Sequence, residues 1–254
     1  MLAAERRNLI LEKVHANKRV IVSELSKEYD VSEETIRRDL DKLEEEGHVI
    51  KSYGGAVINE KSSIDLPFNV RWKANPEGKH KIAELVSREI KDGDHIMLDA
   101  STTAVFIAKS IKHKKHLTVI TNAIEILLEL ADVQGWDIIT PGGLLRPNSM
   151  SLIGKKALDG IDSYHVDKVF FSCKGIDLKN GITDGNVETG GIKQSMIAAA
   201  DKIYLAVDSS KFGRTAFSRI CGLGAVDCIV TDEKPDEMWM EAFRKEKTEC
   251  IYKE

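Results

Sequence analysis

Residues 32–40 of this 254-residue chain read Ser-Glu-Glu-Thr-Ile-Arg-Arg-Asp-Leu and carry the strongest structural pattern of its amino-terminal part. Ser32 stands where an N-cap residue begins a helix, and the pattern predicts a helix over Glu33–Glu46 that ends at Gly47. Apolar residues recur on one face of this helix at the spacing i, i+4 and i+7, namely Ile36, Leu40 and Leu43. We therefore expect a helix with one buried face and one polar face.

Two patterns before this helix predict two more helices, over Ala3–Ala16 and over Glu24–Tyr29, with Ser23 at the N-cap of the second. Only three residues separate the second helix from the helix that Ser32 precedes. So short a connection is typical of a helix-turn-helix, in which the last helix can enter the major groove of DNA. After Gly47, the strands Val49–Ser52 and Ala56–Ile58 flank two glycines and predict a hairpin, the wing of a winged helix-turn-helix.

The polar face of the third helix carries the residue types that read DNA. An arginine can form a bidentate fork to guanine, and a threonine can contact a thymine methyl group or a phosphate. Lysines and tyrosine on the helix and the wing are suited to phosphates. The candidate DNA-binding residues are Ser32, Thr35, Arg37, Arg38, Lys42, Lys51 and Tyr53.

A solvated helix face is the competing interpretation of these charges. Residues 1–58 contain 10 Lys and Arg against 12 Asp and Glu, so net charge alone gives this region no attraction for DNA. The whole chain carries a net charge of −4. The capped helix, the tight turn, the two adjacent arginines and the glycine hairpin together favour DNA binding over a merely solvated surface.

Beyond residue 77, candidate strands alternate with helical patterns to the carboxyl end, which predicts an open α/β domain with parallel strands. We expect residues 1–58 to form the winged helix-turn-helix domain, 59–76 a linker and 77–254 an effector domain. The strands are predicted at His95–Leu98, Leu117–Thr121, Trp136–Thr140, Val166–Cys173, Ile203–Val207 and Cys228–Thr231. Ligands of such sheets bind beyond the carboxyl ends of the strands.

Polar residues follow five of these strands and predict a site for an anionic, polyhydroxylated ligand. Backbone amides and hydroxyls at the start of a helix can hold a phosphate, and Lys211 can add a cation. The candidate effector-binding residues are Asp99, Ser101, Thr102, Thr103, Asn122, Gly142, Gly143, Arg146, Lys174, Gly175, Asp177, Glu188, Lys193, Asp208 and Lys211, with Thr183 and Asp184 beside them. For any single one of these residues, ordinary turn and capping chemistry is the competing interpretation.

Other classes of site lack support in the sequence. The four cysteines show no ligand spacing, and no zinc, phosphate-loop or hydrolase motif is present, so we expect no metal and no cofactor. No signal peptide and no run of about 18 apolar residues occurs, so we expect a cytoplasmic protein without a membrane partner. Cys173 ends a candidate buried strand and is expected to be an inert core thiol.

Residues 32–40, followed by Gly54-Gly55-Ala56, closely resemble the amino-terminal signature of the DeoR family of bacterial transcriptional regulators. The resemblance continues through the chain in Asp99–Thr103, Thr121-Asn122, Gly142-Gly143 and Asp208–Gly213. One departure is visible, because the family more often has Asp-Ser-Gly-Thr-Thr where this chain has Asp-Ala-Ser-Thr-Thr at 99–103. The resemblance implies a repressor of a carbohydrate-use operon, released from its operator by a phosphorylated sugar, with a sensor fold similar to sugar-phosphate isomerases.

Two classes of function follow from these observations. The first is a ligand-gated DNA-binding regulator, which is not an enzyme and which acts as a homodimer or homotetramer on two-fold operators. The second is a sugar-phosphate isomerase that uses acids such as Asp184 and Glu188 as general bases. A winged helix-turn-helix has no purpose in such an enzyme, so the regulator is the preferred hypothesis. Repression and activation are not separated by any residue.

Overall fold

The structure, a computed structural model, describes residues 1–59 and 66–253 and divides into two units, Met1–Ala74 and Asn75–Glu254. The first unit contains α1 Ala3–Asn17, β1 Arg19–Ile21, α2 Val22–Tyr29, α3 Glu33–Glu45, β2 Val49–Ser52, β3 Gly55–Ile58 and α4 Phe68–Lys73. Its three strands form an antiparallel sheet in the order β1-β3-β2. The helices and the wing predicted from the sequence are therefore present, together with one additional strand and one additional helix.

The additional strand β1 corrects the predicted start of α2. Ser23 is not the N-cap, because β1 pairs with the wing strand β3 and leads directly into the helix at Val22, whose N–H donates to the Gly54 carbonyl at 2.9 Å. The same pairing accounts for Gly55, where a Cβ would lie 2.1 Å from the Val20 carbonyl oxygen. The wing glycine is thus required by a close approach between two strands.

The segment predicted as a linker, 59–76, is only partly described, since residues 60–65 lie outside the described ranges. Its later part contains α4, which follows Pro67 and buries Val70 in the core of the first unit. Six residues are too few to show a helical period, so no sequence pattern predicts this helix. The two units divide between Ala74 and Asn75.

A buried ion pair joins α1 to α3 inside this first unit. Arg6 Nε lies 2.5 Å from Asp39 Oδ2, and both side chains are almost fully buried. Arg7 approaches the other carboxylate oxygen at 3.8 Å. Asp39 stands three residues after Ile36 on the apolar face of α3, so the pair takes a position that a hydrophobic side chain would otherwise fill.

The second unit is built on a seven-stranded sheet whose described neighbours are all parallel. Its strands are β4 His95–Leu98, β5 Thr118–Thr121, β6 Asp137–Ile139, β9 Val166–Phe171, β12 Ala200–Ala206, β14 Cys228–Thr231 and β15 Glu249–Tyr252. Their order in the sheet is β15-β14-β12-β9-β4-β5-β6. The direction of winding therefore reverses between β4 and β9, and an open sheet of this kind binds ligands at such a switch point.

Helices and two smaller sheets complete this unit. The helices are α5 Pro76–Glu89, α6 Thr102–Ser110, α7 Ile124–Leu130, α8 Lys155–Asp162, α9 Val187–Ala198 and α10 Glu237–Glu246. A hairpin pairs β7 Leu144–Arg146 with β8 Ser151–Ile153, and a second sheet joins β10 Gly175–Asp177, β11 Gly181–Asp184 and β13 Ser218–Cys221. All six predicted strands are confirmed, with ends shifted by a few residues. The strands that the sequence missed are three or four residues long.

The Arg6–Asp39 pair generates a stability prediction. Replacing Asp39 by Ala leaves the guanidinium of Arg6 buried without its carboxylate, and removing one partner of a buried ion pair costs about 3 kcal/mol or more. The matched control is Asp41→Ala on the same helix, whose ion pair with Lys51 is exposed and is worth at most about 1 kcal/mol. Urea denaturation of the whole chain, monitored through the loss of helix signal, measures the free energy of unfolding of both variants. Equal losses for the two variants would contradict a structural role for the buried pair.

Candidate functional site

The amino end of α3 is ordered by a cap. Ser32 Oγ accepts the Thr35 N–H at 3.1 Å and lies 2.9 Å from the Thr35 hydroxyl oxygen. The cap predicted at Ser32 is therefore confirmed, and it fixes the Thr35 side chain at the first turn of the helix. The buried face of α3 holds Ile36, Leu40 and Leu43 as expected. The opposite face is left to solvent.

The basic side chains of that face are exposed and paired with acids. Arg38 is the most exposed of them, with 78% of its side chain accessible, and its Nε lies 3.3 Å from Glu34 Oε1. The other pairs are Arg37–Glu33 at 2.6 Å, Lys42–Glu45 at 3.2 Å and Lys51–Asp41 at 2.5 Å. The hydrogen bond with Asp41 raises the pKa of Lys51. Tyr53 is fully exposed in the turn of the wing.

In the second unit, Asp99 joins the two strands at the switch point. It follows β4 and is fully buried. One carboxylate oxygen accepts the Ser101 N–H at 3.2 Å and the Ser101 hydroxyl at 2.6 Å. The other oxygen accepts the N–H of Ser172, the residue after β9, at 3.1 Å. The carboxylate thus holds the ends of β4 and β9 together and positions the loop that leads into α6.

Lys193 of α9 lies at the centre of this arrangement. Its ammonium is 3.2 Å from Asp99 Oδ2, donates to the Ser172 carbonyl at 2.7 Å and forms a close ion pair with Asp184. Burial lowers the pKa of Lys193, but Asp184 and Asp99 outweigh that effect and raise the pKa above its usual value. Lys193 therefore stays protonated, and its positive charge compensates the negative charges of Asp99 and Asp184.

The first turn of α6 provides a polar surface next to Asp99. Ser101 is the N-cap and accepts the Ala104 N–H at 3.0 Å. Thr102 and Thr103, which follow it, are both buried. Free backbone N–H groups and hydroxyls at a helix amino end attract an anion. This turn therefore suits a phosphate, as the sequence predicts.

The loop after β12 carries a second ordered carboxylate. Asp208 accepts the Ser210 N–H at 3.1 Å and lies 3.8 Å from the Lys211 ammonium. Burial raises the pKa of Asp208, but Lys211, the hydrogen bonds from Ser210 and the charge of Lys79 together lower it below its usual value. Lys211 is about one-third exposed, so its ammonium is open to a ligand.

Cys173 is buried, as the sequence predicts, and its thiol interacts electrostatically with the charges around Lys193 and around Lys211. Burial raises the pKa of its thiol to about 12, although Lys193 and Lys211 both act in the opposite direction. At neutral pH the thiol is protonated and hence a poor nucleophile.

Three buried polar atoms near the same sheet edge have no hydrogen-bond partner among the described residues. They are Asn122 Oδ1, Arg146 Nη1 and Thr189 Oγ1. Asn122 follows β5 and donates through Nδ2 to the Leu152 carbonyl at 3.0 Å. The second amino group of the Arg146 guanidinium, Nη2, lies 2.8 Å from Glu188 Oε2. The β7–β8 hairpin brings these groups together, because β8 contacts both β7 and the residues after β5.

Four other predicted site residues have structural explanations. A Cβ at Gly143 would lie 2.6 Å from the Ile153 carbonyl oxygen, and one at Gly175 would lie 2.3 Å from the Arg214 carbonyl oxygen. Asp177 accepts two turn N–H groups at 3.0 and 2.7 Å. Thr183 donates its hydroxyl to the Gly175 carbonyl at 3.1 Å. Turn and packing chemistry therefore accounts for these positions without a ligand.

Two further predicted site residues are Gly142 and Lys174. Gly142 has a φ of 74°, which favours glycine, and a Cβ there would meet nothing within 4 Å. Lys174 is half-buried and its N–H donates to the Thr183 carbonyl at 3.0 Å. Both lie in loops that follow strands of the sheet, as the sequence predicts.

The sequence analysis did not single out Lys79 or Thr189. It included Lys193 among the candidate effector-binding residues but did not predict that this lysine is buried between two carboxylates. Lys79 is buried on α5 close enough to Asp208 to lower the pKa of that carboxyl. The signal was present, because Lys79 and Lys193 both occupy positions on the apolar stripes of their helices. A charged residue at such a position is almost never fully buried without a partner. Thr189 gave no signal of this kind.

Comparison with known proteins identifies the family of both units. Residues 6–62 match the DeoR-like helix-turn-helix domain, and residues 74–233 match the DeoR C terminal sensor domain. The chain is 40% identical over 247 residues to the uncharacterized HTH-type transcriptional regulator YulB of Bacillus subtilis, a match that covers 97% of this chain and 95% of that protein.

Two further relatives are named as repressors. The HTH-type transcriptional repressor GlcR of Bacillus subtilis is 34% identical, over 100% of this chain and 98% of its own. The glycerol-3-phosphate regulon repressor of Escherichia coli is 31% identical, over 92% of this chain and 93% of its own. Among solved structures, ribose 5-phosphate isomerase A of Methanocaldococcus jannaschii matches 55% of each chain at 18% identity with a TM-score of 0.39.

Two structural features are absent from the part of the chain that the structure describes. Within residues 1–59 and 66–253, no helix has the length and apolar character needed to cross a membrane. The same part of the chain contains no group of three or more His, Cys, Asp or Glu side chains arranged to hold a metal ion.

The environment of Lys193 generates a prediction for the second unit. Lys193→Met keeps the length of the side chain but leaves Asp99 and Asp184 buried without their cation, which should lower the free energy of unfolding by about 3–5 kcal/mol. Lys155→Met is the matched control, because Lys155 forms an exposed ion pair with Asp159 and its loss should cost at most about 1 kcal/mol. Urea denaturation compares the two. A Lys193 variant as stable as the Lys155 variant would refute the structural role of this cluster.

Proposed function

The chain belongs to the DeoR family of DNA-binding transcriptional regulators, and on that premise we propose that it represses a carbohydrate-use operon and leaves its operator when a phosphorylated sugar binds the second unit. DNA binding is the task of the first unit, with α3 as the recognition helix. Membership of a family of regulators also makes the isomerase hypothesis unnecessary. The two acids considered as bases, Asp184 and Glu188, are both held in ion pairs.

The operator is read by the exposed face of α3. Arg37 and Arg38 offer guanidinium forks to guanine, and Thr35 is fixed by its cap at the start of the helix. Lys42, Lys51 and Tyr53 serve the phosphates on either side. Two half-sites about 34 Å apart require two copies of this unit, so the regulator acts as a homodimer or a homotetramer.

The observation that carries the effector proposal is the set of buried atoms without partners. Burying a polar group without a hydrogen bond costs free energy, and a ligand can remove that cost. Asn122 Oδ1 needs a donor and Arg146 Nη1 needs an acceptor. A sugar hydroxyl both donates and accepts, so the hydroxyls of one ligand can supply the donor and the acceptor that these atoms need.

The charges of the site suggest where the phosphate of the ligand binds. Around Lys193, two carboxylates face one ammonium, and this excess of negative charge disfavours a phosphate there. At the first turn of α6, the amino end of the helix adds positive partial charge beside one carboxylate, Asp99, and Lys211 faces the single carboxylate of Asp208. The phosphate therefore binds at Ser101–Thr103, and the hydroxyl-bearing end extends towards Asn122 and Arg146. The glycerol-3-phosphate regulon repressor, a relative, carries a phosphorylated polyol in its name.

Release from the operator requires more than binding. The sugar phosphate must bind the operator-free form more tightly than the operator-bound form, because equal affinity for both forms would shift nothing. By linkage, the operator must weaken binding of the sugar phosphate by the same factor.

Fluorescence anisotropy tests the proposal. The full chain is titrated onto duplex DNA from upstream of its own coding sequence, with a scrambled duplex for comparison, in the presence and absence of a panel of pentose, hexose and triose phosphates. One sugar phosphate should abolish specific binding, while the corresponding unphosphorylated sugar should not. Specific binding that persists with every member of the panel would refute release by a phosphorylated sugar.

The recognition helix yields a prediction for operator binding. Arg38→Ala should weaken operator binding by about 1–3 kcal/mol and relax base preference at one position, because the bidentate contact to a base is lost. Lys13→Ala is the control, since Lys13 also forms an exposed ion pair, with Glu28, but lies on α1. The same anisotropy assay with single-base operator variants measures both effects. Unchanged affinity and base preference would remove Arg38 from the reading face.

The effector site yields a second prediction. Arg146→Met should raise the sugar-phosphate concentration needed for half-release by about tenfold or more, because a hydrogen bond to a charged group contributes about 1.5–3 kcal/mol. Arg244→Met is the matched control, because Arg244 is likewise paired with a glutamate, Glu237, but lies on α10. Operator affinity without the sugar phosphate should be unchanged in both variants. Equal effects in the two variants would contradict the assignment of Arg146.

A further inference from the structure

Thr189, in the first turn of α9, carries a buried hydroxyl that bonds to nothing in the described part of the chain. Its Oγ1 atom is shielded from solvent and has no hydrogen-bond partner there. The large majority of buried polar side-chain atoms in folded proteins have a partner, so an exception needs an explanation. Two other such atoms, Asn122 Oδ1 and Arg146 Nη1, belong to the site that we propose for the effector.

The position of Thr189 in its helix explains why the hydroxyl has no internal partner. Within a helix, a threonine hydroxyl can bond to the carbonyl three or four residues before it. Thr189 stands too early in α9 for this, because Asn186, three residues before it, is the N-cap and has extended backbone. The Asn186 carbonyl already accepts the Gly190 N–H at 3.1 Å, and its side chain accepts the Thr189 N–H at 2.8 Å.

Two contacts hold Thr189 in place beside the switch point of the sheet. Residues four apart share a face of a helix, so Thr189 lies on the face of α9 from which Lys193 reaches Asp99. The residue after it, Gly190, packs closely on β13, because a Cβ there would lie 2.6 Å from Ser218 Oγ. The hydroxyl is therefore held on a fixed part of the helix.

The residue before Thr189 connects it to the other two unpartnered atoms. Glu188 Oε2 lies 2.8 Å from Arg146 Nη2, which ties the start of α9 to the β7–β8 hairpin. The same hairpin binds Asn122, whose Nδ2 donates to the Leu152 carbonyl at 3.0 Å. The start of α9, the hairpin and the residue after β5 thus form one connected structure, and each contributes one of the three atoms.

From this arrangement we propose that Thr189 is a ligand-binding residue of the effector site, where its hydroxyl selects a ligand that is hydroxylated at the end away from the phosphate. The proposal rests on the proposed function, because it concerns the same site and the same effector. It adds a contact residue and narrows the class of ligand.

The hydrogen-bonding needs of the three atoms define that class. Asn122 Oδ1 only accepts, Arg146 Nη1 only donates, and the Thr189 hydroxyl can do either. A carboxylate on the ligand would satisfy Arg146 but would place an acceptor against Asn122 and a negative charge near Glu188. Hydroxyl groups can satisfy all three atoms. The site therefore favours a neutral sugar phosphate over the phosphate of a sugar acid.

A structural role for the Thr189 hydroxyl predicts a different effect on stability. Were the hydroxyl part of the helix cap, its removal would destabilise the protein. Removal of a buried hydroxyl without a partner instead relieves a cost of desolvation. Thr189→Val, which exchanges the hydroxyl for a methyl group of similar size, should therefore melt no lower than the wild type.

The control for stability is Thr183→Val. The Thr183 hydroxyl donates to the Gly175 carbonyl at 3.1 Å and accepts the Ala216 N–H at 2.8 Å, so this variant leaves two backbone groups without a partner. We expect it to melt about 2–6 °C below the wild type. Thermal denaturation of the full chain compares the two variants.

The test of binding is release of the full chain from the upstream duplex, followed by anisotropy. The ligands are ribose 5-phosphate, glucose 6-phosphate, fructose 6-phosphate and dihydroxyacetone phosphate, with 6-phosphogluconate as the acidic member. Thr189→Val should need about threefold to tenfold more of the sugar phosphate that releases the wild type, because one neutral hydrogen bond is lost. Thr189→Ser, which keeps a hydroxyl, should stay within about twofold of the wild type.

Thr248→Val is the matched control for release. Its hydroxyl is also buried, but it donates to the Leu223 carbonyl at the start of the edge strand β15, at the opposite end of the strands from the proposed site. The concentration for half-release should stay within about twofold of the wild type, because no ligand contact is lost.

The outcomes separate this proposal from the one on which it rests. If Thr189→Val and the wild type are released at the same concentration, only the role of Thr189 is overturned. A Thr189→Val protein that melts as low as Thr183→Val would also overturn it, because the hydroxyl would then serve the fold. Release by 6-phosphogluconate at a lower concentration than by every neutral ligand would overturn the selectivity. If no ligand releases the wild type, the proposed function fails and this proposal fails with it.

Discussion

The effector unit depends on a single buried ammonium. Lys193 reaches from α9 to the ends of β4 and β9 and contacts Asp99, Asp184 and the Ser172 carbonyl. These contacts connect α9 to the ends of the two strands that flank the switch point of the sheet. Because the ammonium is compensated by two carboxylates, it is a poor site for a phosphate, and this constraint leaves the first turn of α6 for the anion. The orientation that we propose for the ligand follows from that one interaction.

A similar principle organises the first unit. Asp39 stands on the apolar face of α3 and pairs with Arg6 of α1. A buried ion pair adds little net stability compared with apolar packing, but it tolerates few alternative arrangements of the helices that carry it. The pair therefore fixes α3 against α1 and, with it, the angle at which the exposed arginines are presented. The orientation of Arg37 and Arg38, on the opposite face of α3, therefore depends on the Arg6–Asp39 pair, in which neither takes part.

Much of this architecture could be predicted from the sequence. The Ser32 cap, the apolar face of α3 and the six sheet strands are local patterns, since each is specified by spacing within a few residues. Other features are not local. β1 exists because it pairs with β3, and the β7–β8 hairpin depends on contacts with the residues after β5. The ligand site predicted at the sheet edge stays a prediction, and the sequence patterns did not separate its candidates from Gly143, Gly175 and Asp177, which serve turns and packing. Lysines on apolar helical stripes were the overlooked signal.

Hydrogen–deuterium exchange of the full chain with each member of the sugar-phosphate panel tests the central claim most directly, because it locates the ligand on the chain. We predict that at least one sugar phosphate slows exchange in the first turn of α6 and in the segments around Asn122 and Arg146, while inorganic phosphate slows only the first of these. Protection confined to other segments, or no protection with any member of the panel, would contradict the account.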